Sequence, residues 1–256
     1  MTTQISAEAL LLQLREDHAN YVSYALTLNK KCMEIQTRRV YQTDDIRESI
    51  YKQLYKVVWP YSVGLRFLIT ELFHNARYAF QFPGTSDGTR RETIQYYELL
   101  LRNGLIYSTS SIVESGLRSV FRALYPEKPG TDSRFQKTIL RPMLKNLEID
   151  TESDQVSALK LLLEVRNCIH NNGVYLGWKR EDLRIKYRGD NHTFTYGKSH
   201  RSAKREMLLS IIRDIESLFD LIFNKNKLKV LDYVPDVIAN NSRDHSEKSP
   251  GSVHSS

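Results

Sequence analysis

The chain has 256 residues, a formal net charge of +7, 41% hydrophobic and 26% charged residues, proportions of an ordinary globular protein with an adequate core. Two cysteines, Cys32 and Cys168, stand far apart in no metal-ligand spacing, which argues against a disulfide framework or a zinc site and suits a reducing cytoplasm. No basic-then-apolar leader opens the sequence and no apolar run reaches the roughly 20 residues of a membrane span, so a cytoplasmic protein is expected.

In chain order, residues 6–35 carry Leu10, Leu11, Leu14, Tyr21, Tyr24, Ala25 and Leu28 at helical spacing. Thr43 is expected to cap a second helix, with Ile46, Ile50, Leu54, Val57 and Val58 inward and Pro60 interrupting it or opening the next. Residues 61–82 are dense in apolar side chains, among them Val63, Phe67, Leu68, Leu72, Tyr78 and Phe80, and predict a central packing helix. The breaker-rich run at 83–89 places a boundary between an N-terminal helical region, 1–82, and a domain over 90–230. Thr89 with Glu92 has the form of a capping box for a helix through Leu101. A further helix over 105–125 follows, with Glu114 in its middle. Phe135 to Leu147 forms a shorter one that kinks or restarts at Pro142.

The most informative stretch is 151–175. Thr151 and Asp154 read as a capping box, and Val156, Leu159 and Leu163 mark a buried face. The same row then passes to Arg166 and His170, with Gly173 as the left-handed stop. A guanidinium and an imidazole at the edge of a core need partners, because an unpaired buried charge is costly. They either bond neighbouring carbonyls at the helix end or form a polar site.

Residues 183–196 alternate around Gly-Asp-Asn and predict the only β-hairpin. A closing helix is expected over 202–223, and a disordered tail over 236–256. Between Trp178 and Arg205 lie nine cations (Lys179, Arg180, Arg184, Lys186, Arg188, Lys198, Arg201, Lys204 and Arg205) against three carboxylates. Trp178, Tyr187, Phe194 and Tyr196 are interleaved with them. Cations hold phosphates and aromatic rings stack on unpaired bases, so this segment is a candidate surface for single-stranded RNA. The alternative is a solvated hairpin whose rings pack on the core.

The sequence contains no phosphate-binding glycine loop, nucleophile elbow or paired metal-binding histidines. The string R-N-C-I-H-N-N-G at 166–173 resembles the arginine–histidine motif of the HEPN superfamily, whose all-α domains include metal-independent ribonucleases of toxin–antitoxin and antiviral systems. The resemblance covers about residues 90–225 and implies an all-α, HEPN-like bundle with an inserted hairpin and an N-terminal helical extension. Three residues separate Arg166 from His170, against four to six in the family. The likeness implies a homodimer that cleaves RNA without metal or cofactor, with an antitoxin or regulatory protein as a further partner. Arg166, Asn167 and His170 carry over to this chain. His170 would take the proton of a ribose 2′-hydroxyl, since imidazole titrates near neutral pH. Arg166 would stabilise charge on the phosphate. Asn167 and Asn171 would orient the imidazole or bind phosphate, and Glu114 would hold Arg166. The rival expectation is a non-catalytic helical module that binds RNA or a partner protein.

Overall fold

A computed structural model describes residues 7–38, 44–128, 130, 134–177, 179–200 and 205–236. The fold is built from helices, with one antiparallel two-stranded hairpin. Helix α1 (Ala7–Arg38) packs along α2 (Ile46–Phe67). Their facing rows are Leu14, Tyr21, Ala25, Leu28 and Cys32 against Ile50, Leu54, Val58, Tyr61 and Leu65, all buried. These steps of three, four and seven keep one face of each helix inward. Tyr21 and Tyr61 meet edge-on at 4.6 Å between ring centres.

Thr43 lies outside the described residues; the cap of α2 is Asp45, whose side chain accepts from the Arg47 amide. Pro60 does not interrupt α2. Its ring forfeits one backbone hydrogen bond, yet burial of Tyr61 and Leu65 immediately after it holds the helix together. The single helix expected over 61–82 is divided instead. Leu68–Leu72 forms a π-helical turn that puts Leu68 and Leu72 into the core, and α3 (Asn75–Gln81) restarts from an extended His74 cap. Val63, Phe67 and Phe80 are 50%, 38% and 87% exposed, because this stretch has more apolar residues than its buried face can take.

The turn after α3 leads into α4 (Asp87–Leu124), where two helices were expected. Ser86, not Thr89, is the cap, accepting from the Thr89 amide at 3.1 Å. The helix runs through Gly104 because Leu105 and Ile106 beside it are buried. At Gly116 a Cβ would stand 3.0 Å from Ile50 of α2 and 3.2 Å from Phe219, so the missing side chain is what lets three helices cross closely.

A second π-helical turn, Gln136–Leu140, leads into α5 (Arg141–Asn146) with Pro142 in its first turn. Helix α6 (Asp154–His170) is capped by Ser153, which accepts from the Val156 amide, so the box expected from Thr151 and Asp154 is displaced. Val156, Leu159 and Leu163 are buried as the spacing requires, and the chain leaves α6 through left-handed Asn172 and Gly173.

The hairpin pairs β1 (Leu183–Tyr187) with β2 (Asp190–Phe194), from Leu183↔Phe194 to Tyr187↔Asp190. Arg188 and Gly189 both have positive φ, a turn whose twist suits a tight hairpin. Helix α7 (Arg205–Phe223) lies on α6, and Lys31 and Tyr24 of α1 bond its Glu216. After α8 (Asn226–Lys229) the chain returns to α2. There the Val234 carbonyl accepts from the Ile46 amide and the Val234 amide donates to the Asp45 carboxylate.

The buried residues form one connected core from Leu14 to Val234, running through both regions on either side of residues 83–89. Of the tail expected over 236–256, all but Asp236 lies outside the described residues. No described helix is long and apolar enough to cross a membrane.

Cys32 and Cys168 are both buried, and burial raises each thiol to about 11. A raised pKa suppresses the thiolate, which is the reactive form. Neither is therefore expected to react with a disulfide reagent at pH 8 until denaturant is added, as a thiol titration would show.

Candidate functional site

The last two turns of α6 run beside the second half of α4, and the side chains facing each other there are polar. Asn103, Tyr107, Glu114 and Arg118 fall within a sector of about 60° around α4, given 100° per residue. Arg166 donates to the Glu114 carboxylate at 2.9 Å and to the Asn167 side-chain oxygen at 3.2 Å. Arg118 reaches the other Glu114 oxygen through two nitrogens, at 2.7 and 3.2 Å, and also donates to the Gly130 carbonyl at 2.7 Å. Asn167 in turn donates to Glu164, which also accepts from Gln136. The Nε of Arg166 is buried without a hydrogen-bond partner.

Burial of the Glu114 carboxyl acts to raise its pKa. Hydrogen bonds and charge from Arg118 and Arg166 outweigh burial and hold it below its ordinary 4.5. A carboxyl depressed in the folded state stabilises the fold fully above its unfolded pKa, and that contribution is lost as pH falls through the folded value. Glu114→Gln is expected to cost about 1–2 kcal/mol at pH 7. It should also flatten the acid limb of a stability-versus-pH curve measured by urea denaturation.

His170, one turn beyond Arg166, is exposed at the end of α6. Its ring meets the edge of Tyr107 at 4.8 Å between centres, with the planes at 84°. Asn171 turns its amide back onto the Asn167 carbonyl at 2.9 Å and so closes the helix end. Five of the expected residues (Arg166, Asn167, His170, Asn171 and Glu114) thus lie along one seam. Asn171 is occupied with the backbone. Tyr107, Arg118, Glu164 and Gln136 belong to the same polar group and were not expected. Tyr107 and Arg118 stand seven residues before and four after Glu114, a spacing that puts all three on one face of the helix.

The hairpin sorts its residues by the two-residue period of a strand. Arg184 and Lys186 point outward from β1, while Ile185 and Tyr187 point inward. Cross-strand from Arg184 and Lys186 stand Thr193 and Asn191, which bring no charge. Lys179, Arg180 and Lys198 are also exposed.

Three of the hairpin expectations are corrected. Tyr187 is 2% exposed and its hydroxyl donates to Asp214 at 2.8 Å, so no base can stack on it. Phe194 is fully buried for the same reason: an inward strand position belongs to the core. Arg188 is tied to both Asp214 oxygens at 2.9 Å and is not a free cation. Arg205 is buried at the start of α7. Trp178, Arg201 and Lys204 lie outside the described residues.

Among the described residues, no group of three His, Cys, Asp or Glu side chains is arranged to hold a metal ion. Comparison of the chain with protein-family models, with curated proteins and with solved structures returned no match.

Proposed function

We propose that this protein is a metal-independent endoribonuclease of the HEPN type, acting as a homodimer on single-stranded RNA in a toxin or antiviral-defence setting. The observation that carries the reading is the pairing of a fixed guanidinium with an open imidazole. Arg166 is held in place by Glu114, and His170 stands exposed one turn away. The exposed cations Arg184, Lys186 and Lys198 offer a path for a phosphate backbone.

In this reading neutral His170 removes the proton from a ribose 2′-hydroxyl. The 2′-oxygen forms a bond to the adjacent phosphorus, and the bond from phosphorus to the 5′-oxygen breaks. The 5′-oxygen takes up a proton from solvent, and the upstream product ends in a 2′,3′-cyclic phosphate. Arg166 offsets the charge that builds on the phosphoryl oxygens. Cleavage of single-stranded RNA in excess EDTA by the wild type, absent in His170→Ala and Arg166→Ala, is the expected result. Undiminished cleavage in His170→Ala sinks the proposal.

A second reading, a helical module that binds a partner protein without catalysis, is favoured by a different feature. Trp59, Val63 and Phe67 form an apolar row along α2, each at least 38% exposed. Under that reading substitution at this row, and not at His170, removes the biological effect.

A further inference from the structure

The solvent side of α1 carries a second apolar row, separate from the one packed on α2. Leu12, Ala19, Leu26 and Met33 recur at steps of seven. Leu12, Leu26 and Met33 are 69%, 56% and 56% exposed. At 100° per residue the four fall within a sector of about 60°, turned away from the Leu14, Tyr21 and Leu28 face that meets α2. The flank that bonds α7 through Tyr24 and Lys31 is a third side of the helix.

A single exposed leucine needs no explanation, but a strict repeat of seven does. A straight α-helix overshoots such a repeat by about 20° in each heptad, so the repeat suits a helix that lies along another helix in a left-handed pair. From Leu12 to Met33 the row runs about 31 Å.

The polar residues beside the row say what covers it. Glu16, Ser23 and Lys30 stand between the apolar positions, again seven apart, and all three are exposed. This second row is acidic at one end, neutral in the middle and basic at the other, so it complements itself when reversed. Two copies of α1 laid antiparallel about a two-fold axis near Ser23 bring Glu16 of each copy within one residue step of Lys30 of the other. The same alignment sets Leu12 level with Met33, and Ala19 level with Leu26. A large side chain then faces a small one near the axis, which lets two helices approach closely. Parallel pairing would instead set Glu16 on Glu16 and Lys30 on Lys30, and like charges across an interface weaken it.

The charge of the whole chain points the same way. Two copies of a protein with net charge +7 repel each other over most orientations. On α1 the exposed carboxylates Glu8, Glu16 and Glu34 outnumber the exposed cations Arg15 and Lys30, so the copies can meet there without that repulsion.

We propose that the exposed face of α1 is a dimer interface, on which a second copy of this chain docks its own α1 antiparallel to the first. The interface stands on α1 alone and does not depend on the ribonuclease reading.

Sedimentation equilibrium of the full chain, without RNA, tests it. The wild type is expected to reach twice the chain mass within the micromolar range. Leu26→Glu should weaken association at least about a hundredfold, since the two-fold axis removes two leucines from the contact. Glu16→Lys and Lys30→Glu should each weaken it about tenfold, because each turns two symmetry-related attractions into repulsions. The double variant Glu16→Lys/Lys30→Glu should restore wild-type association. All of these positions are exposed, so circular dichroism should show the same helix content throughout. A wild type that stays monomeric overturns the proposal. So does a dimer that survives Leu26→Glu, or one that Val63→Glu on α2 dissociates in its place. Failure of the double variant to recover overturns the antiparallel arrangement. His170→Ala should dimerise as the wild type does, so loss of RNA cleavage and loss of the interface are separate results.

Discussion

Arg47→Ala is expected to destabilise the protein by about 3–5 kcal/mol, a large part of the stability of an ordinary domain. Arg47 is 2% exposed and Asp45 is fully buried. The guanidinium donates twice to Asp45, at 2.9 and 2.6 Å, and to the carbonyls of Leu228, Leu231 and Asp232. The Asp45 carboxylate meanwhile caps α2 and accepts from Val234. Alanine at 47 leaves the buried Asp45 carboxylate without its counter-charge and the buried Leu228 carbonyl without this donor, and it loosens the chain end that these bonds fasten to α2. Arg47→Lys should recover little, because an ammonium cannot span a carboxylate and three carbonyls as the planar fork does. Ser49→Ala, which removes one bond to Asp236, should cost about 1 kcal/mol. Urea denaturation midpoints of the three variants check the ordering; an Arg47→Ala midpoint within error of wild type contradicts this account.

The second large effect concerns activity alone. His170→Ala is expected to lower RNA cleavage by about 10²–10⁴-fold, the usual worth of a general base. Because the side chain is exposed, the melting temperature should move by no more than about 2 °C. Arg166→Ala should lose activity and some stability together, since it takes from Glu114 one of two arginine partners. The contrast separates chemistry from scaffolding. A stability loss in His170→Ala as large as that in Arg166→Ala would mean that the imidazole serves packing.

The buried faces were legible in the sequence because helical periodicity depends on apolar spacing alone. Leu54, Val58, Leu159 and Leu163 are where that spacing puts them. The hairpin was legible from its two-residue alternation, but which side faces the core was not, and Tyr187, expected among the RNA-binding residues, turns inward. Helix ends were not. Three capping signals, at Thr43, Thr89 and Thr151, gave way to Asp45, Ser86 and Ser153, each within three residues. Such ends depend on which of several neighbouring oxygens reaches the first amides once the helix has docked. The two π-helical turns were hidden as well, since a shift of one residue leaves the composition unchanged. In the site, Arg166 and His170 stood out because they interrupt an apolar row. Tyr107 and Arg118 did not: they share a face with Glu114 within the helix expected over 105–125, but that spacing does not say which face meets α6.

The unbroken course of α4 also makes it a ruler. Tyr107 and Arg118 are eleven residues apart on one rigid rod, about 16 Å along its axis, a length no loop can alter. The residue that meets His170 and the one that shares Glu114 with Arg166 are therefore carried by a single body, and neither can be repositioned without the other.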